Sequence, residues 1–337
     1  MFLRLLKGTG PGVIFLIIII LTGVWIRAFL VPHTGGISYY DNDPMPLYGL
    51  LKLVLGKNQL FGVAFSFAMV SLIAFLLVNF NTSVFFINER TFLPALIYIL
   101  LGGFFPEYQG LNPVLPATLF LMLAIKRIMD GYRKAGTAYN FFDAGILISI
   151  GSLFYANLIW FGLLVIIGIA LLRTGNVIEI AISLLGLITP YLLTFGIYYV
   201  IGKDLWELLA MVKNNLFVRS DLYPFSRLTI VALIFTGMIV LVSLFYLLMH
   251  LNAKKIKSRQ TFSILIWGFL IAVAGYIFLP SASVELIWII SIPVSYFLTH
   301  YFVFARKKLV PEIFFSVFVV LILMIQIWSL KDALFNH

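Results

Sequence analysis

Two acidic residues, Asp41 and Asp43, stand one residue apart in the polar stretch 38–48, directly after the first long apolar run of the chain, residues 12–31. Nowhere else does the sequence place two acidic side chains at this spacing. A carboxylate at the point where a helix leaves the membrane can act as a general base towards a substrate hydroxyl. The pattern Asp-Asn-Asp-Pro is also typical of a turn in which aspartate side chains bond to their own backbone. On these residues alone, both a catalytic pair and a turn remain open.

Further polar residues lie between later apolar runs, on the side of the membrane predicted for Asp41 and Asp43. Lysine and arginine can hold the phosphate oxygens of a leaving group, and a tyrosine ring can stack on a sugar. We therefore predict substrate contacts from Glu107, Lys203, Arg219, Arg227 and Tyr40. The alternative for the tyrosine is the belt of aromatic residues found at membrane interfaces.

The composition defines the class of protein. Of 337 residues, 62% are hydrophobic and 11% are charged, whereas soluble domains are about one quarter charged. The chain is therefore predicted to be an integral membrane protein. The net charge of +10 is explained by basic cytoplasmic loops, so no nucleic-acid partner is expected.

Several kinds of chemistry are excluded or disfavoured. The sequence contains no cysteine, which excludes disulfides, thiolate catalysis and cysteine-ligated metals. The four histidines are far apart in the sequence, and we expect the topology to scatter them, so a divalent metal site is not indicated. The apolar runs carry almost no charge, which argues against an ion-driven transporter.

The apolar runs predict an all-α, polytopic transmembrane bundle of about eleven membrane segments, several of them short or broken. The amphipathic stretches 46–55 and 203–215 predict interfacial helices on the outer side. The whole chain, 1–337, is expected to form one integral membrane domain. The first apolar run is too long for a cleaved signal and lacks a small-residue cleavage site, so it is expected to remain as an anchor.

Residues 144–172 decide the orientation. This apolar run is too long for one helix and short for two full crossings, so we predict a hairpin of short helices. With the hairpin and a cytoplasmic N-terminus, the basic residues of the loops favour the inner side by roughly two to one. The predicted location is a bacterial inner membrane, with the C-terminus in the periplasm.

The order of these features resembles the polytopic glycosyltransferases of the C-type fold, which use polyprenyl-phosphate sugars. The resemblance rests on the acidic residues of the first outer loop, on the amphipathic stretch 47–55 and on the glycine-containing segment 141–155. It covers roughly residues 1–200, which would form a glycosyltransferase-like module followed by a helix bundle, 201–337. Many members carry adjacent acidic residues in that loop, whereas one residue separates them here.

Two segments, 88–96 and the Phe-Asp-Ala-Gly sequence at 142–145, are similar to an uncharacterised family of Bacteroidota inner-membrane proteins. This second resemblance implies a location and a fold, and it supplies no activity.

Together these observations favour a glycosyltransferase-like protein that acts at the periplasmic face on a lipid-linked sugar in envelope glycan assembly. Asp41 or Asp43 would be the base, and the lipid-linked sugar phosphate would be the donor, with no other cofactor. The alternatives are a non-catalytic membrane subunit or scaffold of an envelope complex, and a transporter of lipids or small molecules. Membrane lipids are the partners expected in every case.

Overall fold

Thirteen α-helices account for the regular structure of the chain, as seen in a computed structural model that describes residues 3, 6–32, 43–132, 138–173, 177–219, 223 and 225–335. In chain order they are α1 (Pro11–Leu30), α2 (Pro46–Leu55), α3 (Gln59–Val84), α4 (Leu93–Gly102), α5 (Val114–Asp130), α6 (Ala138–Ser152), α7 (Gly162–Arg173), α8 (Val177–Ile201), α9 (Leu205–Phe217), α10 (Arg227–His250), α11 (Ile256–Phe278), α12 (Ile287–Phe304) and α13 (Leu309–Phe335). Short 3-10 turns cover Pro106–Gln109, Ala156–Phe161 and Val284–Leu286.

Seven helices are long and apolar enough to cross a membrane, judged by length and composition over the described residues. They are α1, α3, α8, α10, α11, α13, and α12 together with the 3-10 turn before it. The other predicted segments are the shorter helices α4, α5, α6 and α7, which have 10, 17, 15 and 12 residues. The structure thus confirms an all-helical, multi-pass bundle with several short or broken segments.

One end of the bundle is defined by contacts of the segment that precedes α1. The Lys7 ammonium donates a hydrogen bond of 3.4 Å to the main-chain oxygen of Val303, and the main-chain amide of Leu3 donates to Glu312 at 3.3 Å. We call this end the Lys7 face; it also carries Glu89, Lys254 and Lys308.

The opposite end is built around the segment that begins at Asp43. The main-chain amide of Leu47 donates to the oxygen of Leu153 at 3.1 Å, and the Tyr48 hydroxyl donates to the oxygen of Leu111 at 3.3 Å. We call this end the Asp43 face; it also carries Asn157, Asn215, Leu216 and Ser281.

Helices α6 and α7 form the predicted hairpin. The helix α6 starts at the Lys7 face, where Asp143 pairs with Arg127 of α5 at 3.6 Å, and it ends beside Leu47 at the Asp43 face. The helix α7 then returns to the Lys7 face, since Gly168 packs against Ile128, which is next to Arg127 in the last turn of α5. The helix α8 therefore starts on the Lys7 face and runs parallel to α6.

The helix α12 is the centre of the bundle. It packs on α4, α5, α10 and α11. In its most apolar stretch of 18 residues, 83% of the residues are buried, whereas the corresponding fraction in α8 is 17%. The Tyr296 hydroxyl of α12 donates to the main-chain oxygen of Leu77 at 2.8 Å. The apolar surface of α8 instead faces outward, as expected for a helix that contacts lipid or another membrane protein.

Candidate functional site

The Asp43 side chain is held by the last turn of α9. The Asn214 amide donates a hydrogen bond of 3.4 Å to Asp43 Oδ2, and the Asn215 amide donates one of 2.8 Å to the main-chain oxygen of Asp43. The same Asn215 amide also donates to the Met211 oxygen at 3.0 Å. Asp43 is therefore bonded to the end of α9 rather than lying in a free loop.

A left-handed turn brings Lys203 towards this position. Gly202 has φ of 76°, a value that glycine adopts at little cost. Its amide and that of Lys203 donate to the oxygens of Tyr199 and Tyr198, which is the Schellman pattern at the end of a helix. The chain leaves α8 at this turn and enters α9, where Asp204 caps the new helix by accepting from the Trp206 amide at 2.9 Å.

The ring of Tyr198 gathers charges of both signs. The Lys203 ammonium lies 5.2 Å from the centroid of that ring, within the range of a cation–π interaction. Asp43 and Glu207 both lie close enough to Tyr198 to interact with it electrostatically. Two of the predicted site residues, Asp43 and Lys203, therefore both lie near Tyr198.

Asp41 and Tyr40 lie outside the described residues, so their predicted roles in catalysis and substrate binding stay predictions. Arg219 precedes and Arg227 follows Tyr223 in the sequence, and both arginines are exposed. Arg227 is the first residue of α10.

Glu107 belongs to a second polar group on the same side of the bundle. It accepts a hydrogen bond from the Tyr223 hydroxyl and interacts with the charge of Arg27, whose side chain is only 4% exposed. Burial, followed by the negative charge of Glu107 and this hydrogen bond, raises the pKa of the Tyr223 phenol above its usual value. Rings of Phe105 and Phe225 pack on Tyr223 with centroids 5.1 and 5.2 Å away. Glu107 is therefore engaged with an arginine and a tyrosine that we did not assign to the site.

A third polar group was not predicted from the sequence. The Ser281 hydroxyl shares its one hydrogen between two acceptors, the main-chain oxygen of Leu216 at 2.7 Å and Asn157 Oδ1 at 3.1 Å. Nearby, Glu285 is completely buried and lies close enough to interact electrostatically with Tyr155. These residues link the apex of the α6–α7 hairpin to α9. In the sequence, residues 280–286 resemble an ordinary polar connection. The one signal of a buried polar group is Glu285, an acidic residue next to a membrane span.

Of the four histidines, His250 and His300 were expected near the cytoplasmic ends of their spans, and the structure shows that these two meet. The rings of His250 and His300 both pack on Tyr246, with centroid distances of 4.3 and 5.8 Å. The two residues are 50 positions apart in sequence and meet because α10 and α12 are neighbours at the Lys7 face.

Residues 46–332 match the model of a family of unknown function, DUF6427. The match covers most of the chain, so the protein belongs to this family. It begins just after Asp43 and leaves out α1. No curated protein and no solved structure matches the chain significantly.

Proposed function

We propose that this membrane protein is a glycosyltransferase-like enzyme that works at the Asp43 face on a lipid-linked sugar donor. The observation that carries the proposal is the gathering of Asp43 and Lys203 around Tyr198. The position lies beside α2 and α9, the two amphipathic helices expected at the membrane surface. A membrane-bound donor would present its phosphate at this level.

The chemistry needs a base and a cation. In the proposed reaction, the acceptor hydroxyl attacks the anomeric carbon of the sugar and gives its proton to Asp43. The bond between that carbon and the lipid phosphate breaks, and Lys203 stabilises the negative charge of the departing phosphate. Asn214 and Asn215 are positioning residues, because they hold Asp43 where the acceptor would bind.

We assign the remaining predicted residues to the same substrate site. We propose that Asp41 supplies a second carboxylate, that Tyr40 stacks on the sugar, and that Arg219 and Arg227 attract the phosphate. The Glu107–Tyr223 pair would contact the substrate from the other side. Within a bacterial inner membrane, the Asp43 face would be periplasmic, because the basic loops gather at the Lys7 face.

The experiment is complementation of a strain that lacks the gene and shows a defect in surface glycans. Asp43→Asn removes the base while its side-chain oxygen can still accept the bond from Asn214, so we expect normal insertion and loss of the glycan. The matched control is Asp204→Asn on the same face, because asparagine caps a helix as well as aspartate does; it should restore the glycan.

Normal glycans from an inserted Asp43→Asn variant would overturn the catalytic role. The better explanation would then be the second candidate, a non-catalytic subunit of an envelope complex. That candidate is favoured by the largely unburied surface of α8, which could pack on another membrane protein.

A further inference from the structure

An apolar cavity of about 390 Å³ lies inside the bundle between α10, α11 and α12. Its wall includes Phe105, Phe225, Leu233, Val240, Phe269 and Ile290. It reaches from the aromatic cluster beside Tyr223 towards the middle of the membrane, since its wall follows α10 from Leu233 to Leu241, about 12 Å at 1.5 Å per residue. This volume is at the lower end of the range of about 300–1,000 Å³ for small-molecule sites.

The cavity opens towards the lipid phase. The helices α10 and α11 both pack on α12, and they make few contacts with one another. Two residues of the cavity wall are well exposed, Leu241 of α10 at 66% and Tyr276 of α11 at 46%. A molecule dissolved in the bilayer could therefore enter between α10 and α11 without crossing water.

One side chain of the wall is polar and has no hydrogen-bond partner in the described structure. Thr236 is 6% exposed, and its hydroxyl makes no hydrogen bond to the described residues. Helical threonines normally bond to the carbonyl four residues earlier, and seven in this chain do so: Thr22, Thr82, Thr118, Thr189, Thr194, Thr261 and Thr299. Thr229 of the same helix bonds to Ser226 instead, whereas the Thr236 hydroxyl bonds to nothing in the described structure. Because an unpaired buried hydroxyl costs free energy, Thr236 points to an acceptor that enters the cavity.

The neighbouring position leaves space for a ligand. Gly237 lines the cavity, and a Cβ atom built there meets no atom within 4 Å. A glycine in the interior of a helix is unfavourable relative to alanine by about 1 kcal/mol. A glycine at position 237 is therefore explained if the helix has to leave space for a ligand beside Thr236.

We propose that this cavity binds one hydrocarbon chain of an acyl-ester membrane lipid. The apolar wall contacts the chain, and the Thr236 hydroxyl donates a hydrogen bond to the ester carbonyl. The polar head points from Thr236 towards Phe225 and the Asp43 face. This site includes neither Asp43 nor Lys203 and does not depend on glycosyl transfer.

The test is native mass spectrometry of the full-length protein, delipidated in detergent and titrated with two phosphatidylglycerols. One carries ester-linked chains, and the other is its diether analogue, which has the same head and chains and no carbonyl. We expect the wild type to bind one ester lipid about fivefold more tightly than the diether, the value of one hydrogen bond. Thr236→Val, of nearly the same shape, should abolish this difference and leave diether binding unchanged.

Filling the space gives the second arm. Gly237→Leu should lower the affinity for both lipids at least tenfold, whereas Gly237→Ala should bind the ester lipid nearly as the wild type does. If the wild type and Gly237→Leu bind these lipids with equal affinity, the cavity is not the binding site. Equal affinity of the wild type for ester and diether lipids would overturn the role of Thr236 and the ester assignment. Asp43→Asn should bind both lipids normally, which separates this test from that of the proposed enzyme.

Discussion

Gly186 of α8 lies directly against the main-chain oxygen of Phe142 in α6, with no side chain between the two helices. The contact is reciprocal, because Gly145 of α6 faces the main chain of Ser183 and Leu187 in the same way. Small residues allow membrane helices to approach this closely, and the resulting van der Waals packing holds them together. The crossing fixes α8 parallel to α6, and it therefore fixes the direction of every later span.

We predict that Gly186→Ala destabilises the protein by about 1–3 kcal/mol, the usual cost of forcing extra atoms into a packed site. The added methyl group would collide with the main chain of Phe142, which cannot move as a side chain does. The measurement is thermal unfolding in detergent, followed by intrinsic fluorescence.

The matched control is Gly196→Ala in the same helix. A Cβ atom at Gly196 meets no atom within 4 Å, so this change should be neutral or stabilising by up to about 1 kcal/mol. Equal melting temperatures for the two variants would show that α6 and α8 do not cross at Gly186.

The hairpin of α6 and α7 makes a second prediction, which single cysteines can check because the natural sequence has none. Tyr139, in the first turn of α6, and Val177, the first residue of α8, are 77% and 76% exposed. Both lie at the Lys7 face, whereas Lys203 lies at the Asp43 face. With a membrane-impermeant maleimide added to spheroplasts, we expect Lys203→Cys to react, and Tyr139→Cys and Val177→Cys to react only after the membrane is opened.

The pattern of labelling separates two claims. Reaction of Tyr139→Cys and Val177→Cys from opposite sides would contradict the hairpin itself. If both react in closed spheroplasts and Lys203→Cys does not, the hairpin stands and the proposed orientation is reversed.

Helix positions were largely predictable because hydrophobic runs of sufficient length leave few alternatives in a membrane. The apolar run 177–201 predicts a span that coincides with α8, Val177–Ile201. The largest boundary errors fall where charge begins. The apolar runs predict a span that starts at residue 261 and another that ends at residue 330, whereas α11 starts at Ile256 and α13 continues to Phe335. Long basic side chains such as Lys257 and Arg259 can extend to the interface, so a helix continues past the end of its apolar run.

The site was less predictable, because its partners come from distant parts of the chain. The sequence marks Asp43 as unusual, but Asn215, which binds its main chain, is 172 positions away. Nothing local distinguishes Asn214 and Asn215 from other polar residues at the end of a helix. Similarly, Ser281 and Asn157 meet only because the hairpin apex reaches α9.

Lys254, in the connection between α10 and α11, lies in an aromatic setting at the Lys7 face. Its ammonium is 5.1 Å from the ring centroid of Phe262 and 5.3 Å from that of Phe304. The ring of His300 packs against both, at 5.4 and 5.1 Å. Burial in this cluster lowers the pKa of the Lys254 ammonium below its usual value of 10.5.

This shift predicts how stability changes with pH. Between the lowered pKa of folded Lys254 and 10.5, the unfolded chain binds more protons than the folded one, so the free energy of unfolding rises with pH. Below both values the folded protein bears the full cost of burying the charge, partly offset by the two ring contacts. We therefore expect the melting temperature of the wild type, relative to that of Lys254→Met, to rise as the pH increases from 7 to 10.

Subtracting the two curves of melting temperature against pH removes the titrations that both proteins share. Lys255→Met, at the exposed neighbouring position, controls for the loss of one positive charge. A difference between wild type and Lys254→Met that stays constant over this range, or that falls, would mean that the ammonium remains solvated and does not enter the aromatic cluster.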